Sequence, residues 1–324
     1  MATIARAHTN IALVKYWGKK DQQLMLPQTD SLSLTLDRFY TDTTVTLAPS
    51  QSVDHYSING QDVTGRAASR LTTFLDIVRQ LSGNNTHFTV ESTNHVPTSA
   101  GLASSASAFA ALAAAASREA GLNLSRKDLS RLARRGSGSA TRSIFGGLVE
   151  WHRGVDDETS FAEPITEKVE FGLEMMAIVI DTSKKKVSSR HGMQLSVETS
   201  PFYPAWRDVV ADDMVKMKRA IADRNVDRIG ELAQENALRM HALTLSANPG
   251  YTYFEEKTIT AMRLIDSLHQ QGVSCYYTMD AGPNVKVIYH RRDREQIMAA
   301  LAPIFGATNL IVSQPGPGIT VRQL

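Results

Sequence analysis

The sequence predicts an α+β fold in which helices cover antiparallel sheets. Apolar and polar residues alternate with period two over 32–36 and 43–47, which predicts that these two stretches form a half-buried antiparallel pair. Three helical stretches (about 204–223, 225–245 and 252–271) precede a β-β-α-β ending made of 273–279, 285–290, 293–304 and 308–313. Helices followed by such an ending indicate an antiparallel sheet with helices on one face.

Composition restricts the class of protein. The 324 residues, 42% hydrophobic and 21% charged, suffice for one large or two ordinary domains with a buried core. The net charge of +2 argues against a dedicated nucleic-acid binder. The single cysteine, Cys275, excludes an intramolecular disulfide framework, and no apolar run approaches the length of a membrane span. We therefore expect a cytoplasmic protein without nucleic-acid or membrane partners.

A Pro/Gly/Ser loop over residues 94–107 is the first candidate site. It follows a β-compatible run at 87–92 and leads into an alanine-rich helix at about 107–120. Such a loop presents backbone N–H groups and a helix N-terminus to an anion, and two serines, Ser104 and Ser105, add hydroxyls. It matches neither common nucleotide-loop motif. The alternative is a serine N-cap on a buried helix.

Polar residues also crowd the end of a buried segment at 4–16, which reads as an extended strand. Lys15 interrupts its apolar run, Lys19 follows closely and Asn10 lies upstream. A lysine at the end of a buried strand is usually a surface residue with a buried stem. The clustering of three polar groups also admits a functional reading.

Two further segments pair serines with arginine. In 135–142, Ser137 and Ser139 precede Arg142, whose guanidinium is a rigid fork for a carboxylate or phosphate. A flexible connector is the alternative, although one helical turn would align Ser139 with Arg142. Ser189 and Arg190 repeat the combination after a lysine run at 184–186. We place the crossover between two domains here, at 1–184 and 185–324.

Asp280 stands at the end of a predicted strand and is followed by a Gly-Pro turn. Loops at strand ends position chemistry on a rigid scaffold. An aspartate before a glycine is also a common turn residue, so both readings stay open.

These motifs together resemble the diphosphomevalonate decarboxylase family of the GHMP kinase superfamily. The similarity rests on five segments, which are 10–19, 97–106, 137–142, 188–193 and 280–284. Segment 97–106 is common to the whole superfamily. The other four segments together are specific to the decarboxylase family. The segments occur in the expected order and span nearly the whole chain.

The resemblance implies a fold and an activity. The expected fold has a ribosomal-protein-S5-like N-terminal domain and a ferredoxin-like C-terminal domain, with the active site in the cleft between them. The implied reaction is ATP-dependent decarboxylation of mevalonate 5-diphosphate to isopentenyl diphosphate, through phosphorylation of the C3 oxygen. ATP and Mg²⁺ would be required, and the protein would be a homodimer.

The resemblance also implies roles for individual residues. Asp280, Lys15 and Arg142 would be catalytic, with Asp280 receiving the C3 hydroxyl proton and Arg142 holding the substrate carboxylate. The residues expected to bind the substrate are Asn10, Tyr16, Lys19, Ser137, Ser139, Arg142, Ser189 and Arg190. Those expected to bind ATP are Asn94, Pro97, Ser99, Ala100, Gly101, Leu102, Ala103, Ser104, Ser105, Lys185 and Lys186. Ser104 and Ser105 would also contact the metal.

Two rival functions differ in observable ways. A plain small-molecule kinase of the same superfamily would share the ATP loop and release a stable phosphorylated product. A non-catalytic phospholigand- or RNA-binding module would show steeply salt-dependent binding and no ATP turnover.

Overall fold

The larger of two main sheets contains the first strands of the chain. The structure, a computed structural model, describes residues 2–95, 105–181, 183 and 186–324. The strand order is β14-β1-β4-β7-β5-β6, and β8 and β9 continue the sheet from β4. Its strands are β1 (Ala2–Val14), β4 (Ser31–Leu47), β5 (His55–Ile58), β6 (Gln61–Asp62), β7 (Phe88–His95), β8 (Leu148–Trp151), β9 (Ala162–Thr166) and β14 (Thr320–Gln323). All pairs are antiparallel except β5 with β7. A separate small hairpin joins β2 (Lys19–Asp21) to β3 (Leu26–Pro27).

The two alternating stretches at 32–36 and 43–47 do not pair with each other. Both belong to the single 17-residue strand β4, which pairs with β1 along most of its length. The prediction of a local antiparallel pair was wrong. The connecting segment Asp37–Asp42 contains no glycine or proline that would turn the chain, and its aromatic and threonine residues favour strand.

Three helices cover this sheet: α1 (Gly65–Ser82), α2 (Ser105–Glu119) and α3 (Arg126–Gly136). Almost every residue of α2 is buried and most are alanine, so the helix lies close to the sheet. Ser125 caps α3, because its Oγ accepts a hydrogen bond from the Asp128 backbone N–H at 3.1 Å. A 3₁₀ helix over Gly138–Ile144 follows directly and carries Ser139 and Arg142.

The second sheet has the antiparallel order β11-β12-β10-β13. Its strands are β10 (Leu173–Ile178), β11 (Cys275–Met279), β12 (Val285–His290) and β13 (Leu310–Ser313). The helices of this half are α4 (Ser189–Thr199), α5 (Tyr203–Ala222), α6 (Val226–Leu245), α7 (Glu256–Gln270) and α8 (Arg294–Phe305). A β-α-β-β-α-β chain order with these neighbours is the ferredoxin-like arrangement. The α+β, GHMP-kinase-like prediction is therefore confirmed.

Strand pairing places two segments differently from a division at residue 184. β10 ends at Ile178 and pairs with β12 and β13, so it groups with the C-terminal half. β14 returns from the end of the chain to pair with β1. We therefore propose a boundary between β9 and β10, with the last strand added to the N-terminal half.

A shared core joins the two halves. Apolar side chains from β1 and β4, such as Leu13 and Leu34, pack in one cluster with Trp206 of α5 and Ile229 of α6. Separate clusters lie between the large sheet and α1–α3, and between the small sheet and α7–α8. Within the described residues, no helix is both long and apolar enough to cross a membrane.

Candidate active site

One cavity of about 760 Å³ lies where the two halves meet. It is lined by the end of β1, the 3₁₀ helix, the start of α4 and the β11–β12 turn. Eleven of the residues singled out from sequence line it: Asn10, Lys15, Tyr16, Lys19, Ser105, Ser137, Ser139, Arg142, Ser189, Arg190 and Asp280. The fold therefore brings together five segments that are far apart along the chain.

Other predicted residues lie elsewhere. Asn94 lines a smaller neighbouring cavity of about 220 Å³, whose wall also includes Ser105. Lys186 is exposed and does not line the main cavity. The predicted ATP-loop residues Pro97, Ser99, Ala100, Gly101, Leu102, Ala103 and Ser104, together with Lys185, lie outside the described residues.

An ion pair between a buried lysine and a partly exposed aspartate lies in the cavity wall. Lys15 is 1% exposed, and its Nζ donates to Asp280 Oδ1 at 2.9 Å and to the Ala12 carbonyl at 2.8 Å. Burial lowers the pKa of Lys15, whereas Asp280 opposes that shift. The Lys15 backbone N–H donates to Asn236 Oδ1 at 2.8 Å, which ties the end of β1 to α6.

Arg142 is held rigidly beside this pair. It is 2% exposed, its Nε donates to Asn10 Oδ1 at 3.2 Å, and its Nη1 donates to Ser31 Oγ at 2.6 Å. Asn10 in turn donates to the Ser139 carbonyl and to Ser143 Oγ, so its amide locks β1 to the 3₁₀ helix. Burial lowers the pKa of Arg142 to about 10. The guanidinium stays charged at neutral pH and keeps N–H groups for a ligand.

Cations cluster at the other end of the cavity. The pKa of Lys19 is lowered to about 8, first by burial and then by the neighbouring Arg190 and Arg70. Burial, with a contribution from Arg190, also lowers the pKa of Arg70. The buried Tyr16 hydroxyl, which has no hydrogen-bond partner within the described structure, lies on the same cavity wall. Mutually repelling cations beside an orphaned hydroxyl favour an anionic ligand.

Two helix N-termini reinforce this preference. Ser188 caps α4 by accepting from the His191 backbone N–H at 3.2 Å, and Ser189 and Arg190 form the first turn at the cavity wall. Ser105 begins α2 on another side of the cavity. The positive ends of both helix dipoles are suited to phosphate groups.

Sequence reasoning missed several lining residues. Arg66 and Arg70 lie one turn apart at the start of α1, and Lys286 interrupts the apolar strand β12. The signal for Lys286 was the same as that for Lys15, a lysine within a buried strand. Two arginines at positions i and i+4 of a helix repel each other unless they share an anion. The spacing of Arg66 and Arg70 could therefore have indicated an anion site at the start of α1.

The charges on the cavity wall are strongly unbalanced. Among the described residues that line it, seven are cationic and Asp280 is the only carboxylate. In the described part of the chain, no three His, Cys, Asp or Glu side chains group as metal ligands. The cavity therefore suits a ligand with several negative charges and one position for a base.

The two-domain fold and this polyanion site define a GHMP-kinase-like enzyme that acts on small phosphorylated molecules. Two family models cover most of the chain. Residues 7–162 match the diphosphomevalonate decarboxylase-like N-terminal domain, and residues 175–316 match the mevalonate 5-diphosphate decarboxylase C-terminal domain. The chain belongs to the diphosphomevalonate decarboxylase family.

Solved structures agree with the family models. The mevalonate diphosphate decarboxylase of Staphylococcus aureus is 46% identical, with a TM-score of 0.96 over 99% of this chain and 98% of that one. The Enterococcus faecalis enzyme, described with mevalonate diphosphate-mediated ATP binding, is 47% identical, with a TM-score of 0.95 over 100% and 99%. A protein designated MDDEF, solved with MVAPP, AMPPCP and magnesium, is 48% identical, with a TM-score of 0.96 over 100% and 99%.

One relative differs in its named substrate. The phosphomevalonate decarboxylase of Haloferax volcanii is 31% identical over 93% of this chain and 92% of its own length.

Proposed function

We propose that this protein catalyses the ATP-dependent decarboxylation of mevalonate 5-diphosphate to isopentenyl diphosphate, with release of ADP, phosphate and CO₂. The observation that carries the proposal is Asp280, which accepts a hydrogen bond from Lys15. Among the described residues that line the cavity, Asp280 is the one carboxylate beside seven cationic side chains. A base beside several phosphate-binding groups is what transfer of a phosphoryl group to a hydroxyl requires.

The substrate chemistry explains the arrangement. A tertiary hydroxide at C3 leaves poorly, so its oxygen first bonds to the γ-phosphorus of ATP, as the hydroxyl proton passes to Asp280 and ADP departs. Loss of the new phosphate from C3 then draws electrons from the adjacent C–C bond, which releases CO₂ and leaves an alkene. Such a sequence depends on alignment and charge neutralisation more than on covalent participation of the protein.

Asp280, Lys15 and Arg142 carry the reaction in this proposal. Lys15 keeps Asp280 ionised as a base, because an adjacent ammonium favours the carboxylate. Arg142, already fixed by Asn10 and Ser31, directs its remaining N–H groups to the substrate carboxylate.

The cation cluster is the proposed diphosphate site. Lys19 and Arg190 supply positive charge. The Tyr16 hydroxyl supplies a hydrogen-bond donor that has no partner within the described structure. The hydroxyls of Ser137, Ser139 and Ser189 complete the set. Asn10 acts chiefly by holding Arg142 and the 3₁₀ helix in place.

ATP is proposed to approach from the N-terminus of α2. Ser105 lines both cavities, so it connects the reacting centre with the smaller pocket near Asn94. That pocket includes the side chains of Tyr56 and Phe109, which suit a flat aromatic base. The predicted roles of residues 97–104, Lys185 and Lys186 stay predictions.

The donor set also fits Mg²⁺ bound mainly through phosphates. Mg²⁺ usually takes one or two protein oxygens, besides waters and substrate phosphate oxygens. Ser105 offers such an oxygen on the cavity wall, whereas three-carboxylate ligation is excluded for the described residues. When bound, the ion would neutralise charge on the transferring phosphoryl group.

A direct assay tests the proposal. The purified protein would be mixed with ATP and Mg²⁺, and mevalonate, mevalonate 5-phosphate and mevalonate 5-diphosphate would be compared for release of CO₂ and ADP. We expect equal amounts of CO₂ and ADP, and only with the diphosphate. Release of ADP without CO₂ would indicate a plain kinase. Release of CO₂ from mevalonate 5-phosphate would show that the monophosphate, and not only the diphosphate, is a substrate. Homodimerisation and a cytoplasmic location stay predictions, which sedimentation and cell fractionation can check.

A further inference from the structure

Lys286 is a buried lysine near the start of β12, and the proposed mechanism gives it no role. It is 4% exposed, and its neighbours along the strand, Val285 and Val287, are apolar and buried. A buried ammonium is costly unless it is paired and hydrogen-bonded. Lys286 Nζ lies 3.5 Å from Asp280 Oδ2 and donates to the Asn284 carbonyl at 3.2 Å.

Asp280 is therefore placed between two ammonium groups. Lys15, which directly follows β1, contacts Oδ1 at 2.9 Å, and Lys286, which belongs to β12, lies 3.5 Å from Oδ2. Cations on both carboxylate oxygens restrict rotation about the last side-chain bond. The Asp280 side chain is 38% exposed and lines the cavity, so the carboxylate is fixed in orientation but stays accessible to a ligand in the cavity.

Among the residues that the structure describes, the two other titratable groups beside this pair, Arg142 and His241, do not duplicate this role. Arg142, from the 3₁₀ helix, is near enough to interact with Asp280 electrostatically, but its Nε and Nη1 are engaged by Asn10 and Ser31. His241 of α6 also faces the pair, and burial, with Lys15, lowers its pKa to about 3. His241 is therefore neutral at working pH and adds no charge.

We propose that Lys286 is a positioning residue for the reaction, which orients the Asp280 carboxylate and keeps it ionised to receive the C3 hydroxyl proton. This inference rests on the proposed function, in which Asp280 is the base. Lys286 acts through Asp280 and makes no contact with the reacting atoms in this proposal.

The first test measures the Asp280 carboxyl without any turnover. Protein labelled with ¹³C at the aspartate side-chain carboxyl would be titrated by NMR, with Asp280→Asn identifying the resonance. Lys286→Met replaces the ammonium by an apolar chain of similar length, and we expect the pKa of Asp280 to rise by roughly 1 to 3 pH units. Lys286→Arg keeps the charge and should leave that pKa close to the wild-type value.

The second test is kinetic. Lys286→Met should lower kcat by about 10- to 100-fold and move the acid limb of the pH profile upward, because the base is then protonated at higher pH. The KM values for ATP and for the diphosphate should change little. Lys218→Met is the matched control, since Lys218 pairs with the buried Glu150 at 3.1 Å but does not line the cavity. It should leave both the limb and kcat unchanged.

Three outcomes contradict the inference. An Asp280 resonance that titrates identically in wild type and Lys286→Met would remove the electrostatic role. A raised KM with unchanged kcat would assign Lys286 to phosphate binding instead. The third outcome is an acid limb of the pH profile that is also shifted in Lys286→Arg while Asp280 titrates as in the wild type. That result would show that the charge of residue 286 is not what matters. If the titration shifts as expected but the wild type releases no CO₂, only the proposed function fails.

Discussion

Lys15 and Asp280 are separated by 265 positions, yet their side chains meet at 2.9 Å. The contact forms because β1 ends at the same place as the β11–β12 turn. Asn236 supports it from α6 by accepting the Lys15 backbone N–H. At the scale of single residues, the site is a carboxylate whose surroundings come from both halves of the chain.

Asp280→Asn should lower kcat by roughly 10²- to 10⁴-fold, because an amide cannot receive the hydroxyl proton. ATP binding, measured by calorimetry, should persist because the nucleotide does not depend on the base. Asp223→Asn is the control, since Asp223 pairs with Arg219 on the exposed face of α5. A variant with an unimpaired rate would remove Asp280 from the mechanism.

Lys19 gives a prediction for pH. In the proposed site the diphosphate binds the charged ammonium of Lys19, whose pKa is about 8 in the free protein, so affinity for the diphosphate should fall as pH rises through about 8. We expect KM for the diphosphate to climb up to about tenfold per pH unit above that point, with kcat little changed. Lys19→Arg should remove the dependence, because a guanidinium stays charged. The same slope in both proteins would show that another group titrates.

At the scale of elements, the turn between β1 and β2 is tightly constrained. Gly18 has φ of +115°, and a Cβ there would lie 1.8 Å from Tyr203 Oη of α5. That hydroxyl donates to the Trp17 carbonyl at 2.7 Å. Only glycine therefore lets the turn rest against α5 and direct Lys19 into the cavity.

Gly18→Ala should lower the free energy of unfolding by about 2–4 kcal/mol, since backbone strain adds to a steric overlap. KM for the diphosphate should also rise, because Lys19 is displaced. Gly60→Ala is the control: its φ is +74°, but a Cβ there meets nothing within 4 Å. Equal losses in denaturant unfolding for both variants would show that strain alone, and not the contact with α5, matters.

At the scale of the whole molecule, the shared core predicts that the halves unfold together. Leu13 of β1 and Trp206 of α5 belong to one apolar cluster, and β14 ties the end of the chain to the first sheet. A destabilising change at a residue outside this apolar cluster should therefore move a single transition.

Glu174→Gln provides that change. Glu174 is fully buried and accepts hydrogen bonds from Arg291, Arg294 and Tyr289, which lower the pKa of its carboxyl against the effect of burial. Loss of the charge should lower the free energy of unfolding by about 2–4 kcal/mol at neutral pH. Tryptophan fluorescence and circular dichroism should report one shifted transition, and two separate transitions would contradict the shared core.

The pH dependence of that variant has a definite sign. The folded pKa of Glu174 lies below its ordinary value of 4.5, so its contribution is complete above about pH 4.5 and is lost as pH falls through the folded value. The difference between wild type and Glu174→Gln should shrink in that acid range. Glu163→Gln, at an exposed residue paired with His152, should show little effect at any pH.

The sequence by itself determined the family, most helices and most strands. The helical stretches predicted at about 204–223, 225–245 and 252–271 correspond to α5, α6 and α7, because the signals for a helix lie within a few residues of one another. The five motifs also supplied most of the chemical groups that line the cavity. Residue types and local spacing are properties of the chain before it folds.

The tertiary structure decided which of those groups meet. The continuity of β4, the return of β14 and the helix α4 depend on pairing and packing between distant segments, which local periodicity does not record. For the same reason only the folded chain places Arg70 beside Lys19 and Lys286 beside Asp280. The charge that surrounds Asp280 is thus a property of the folded molecule, since one lysine directly follows β1 in the N-terminal half and the other lies in β12 of the C-terminal half.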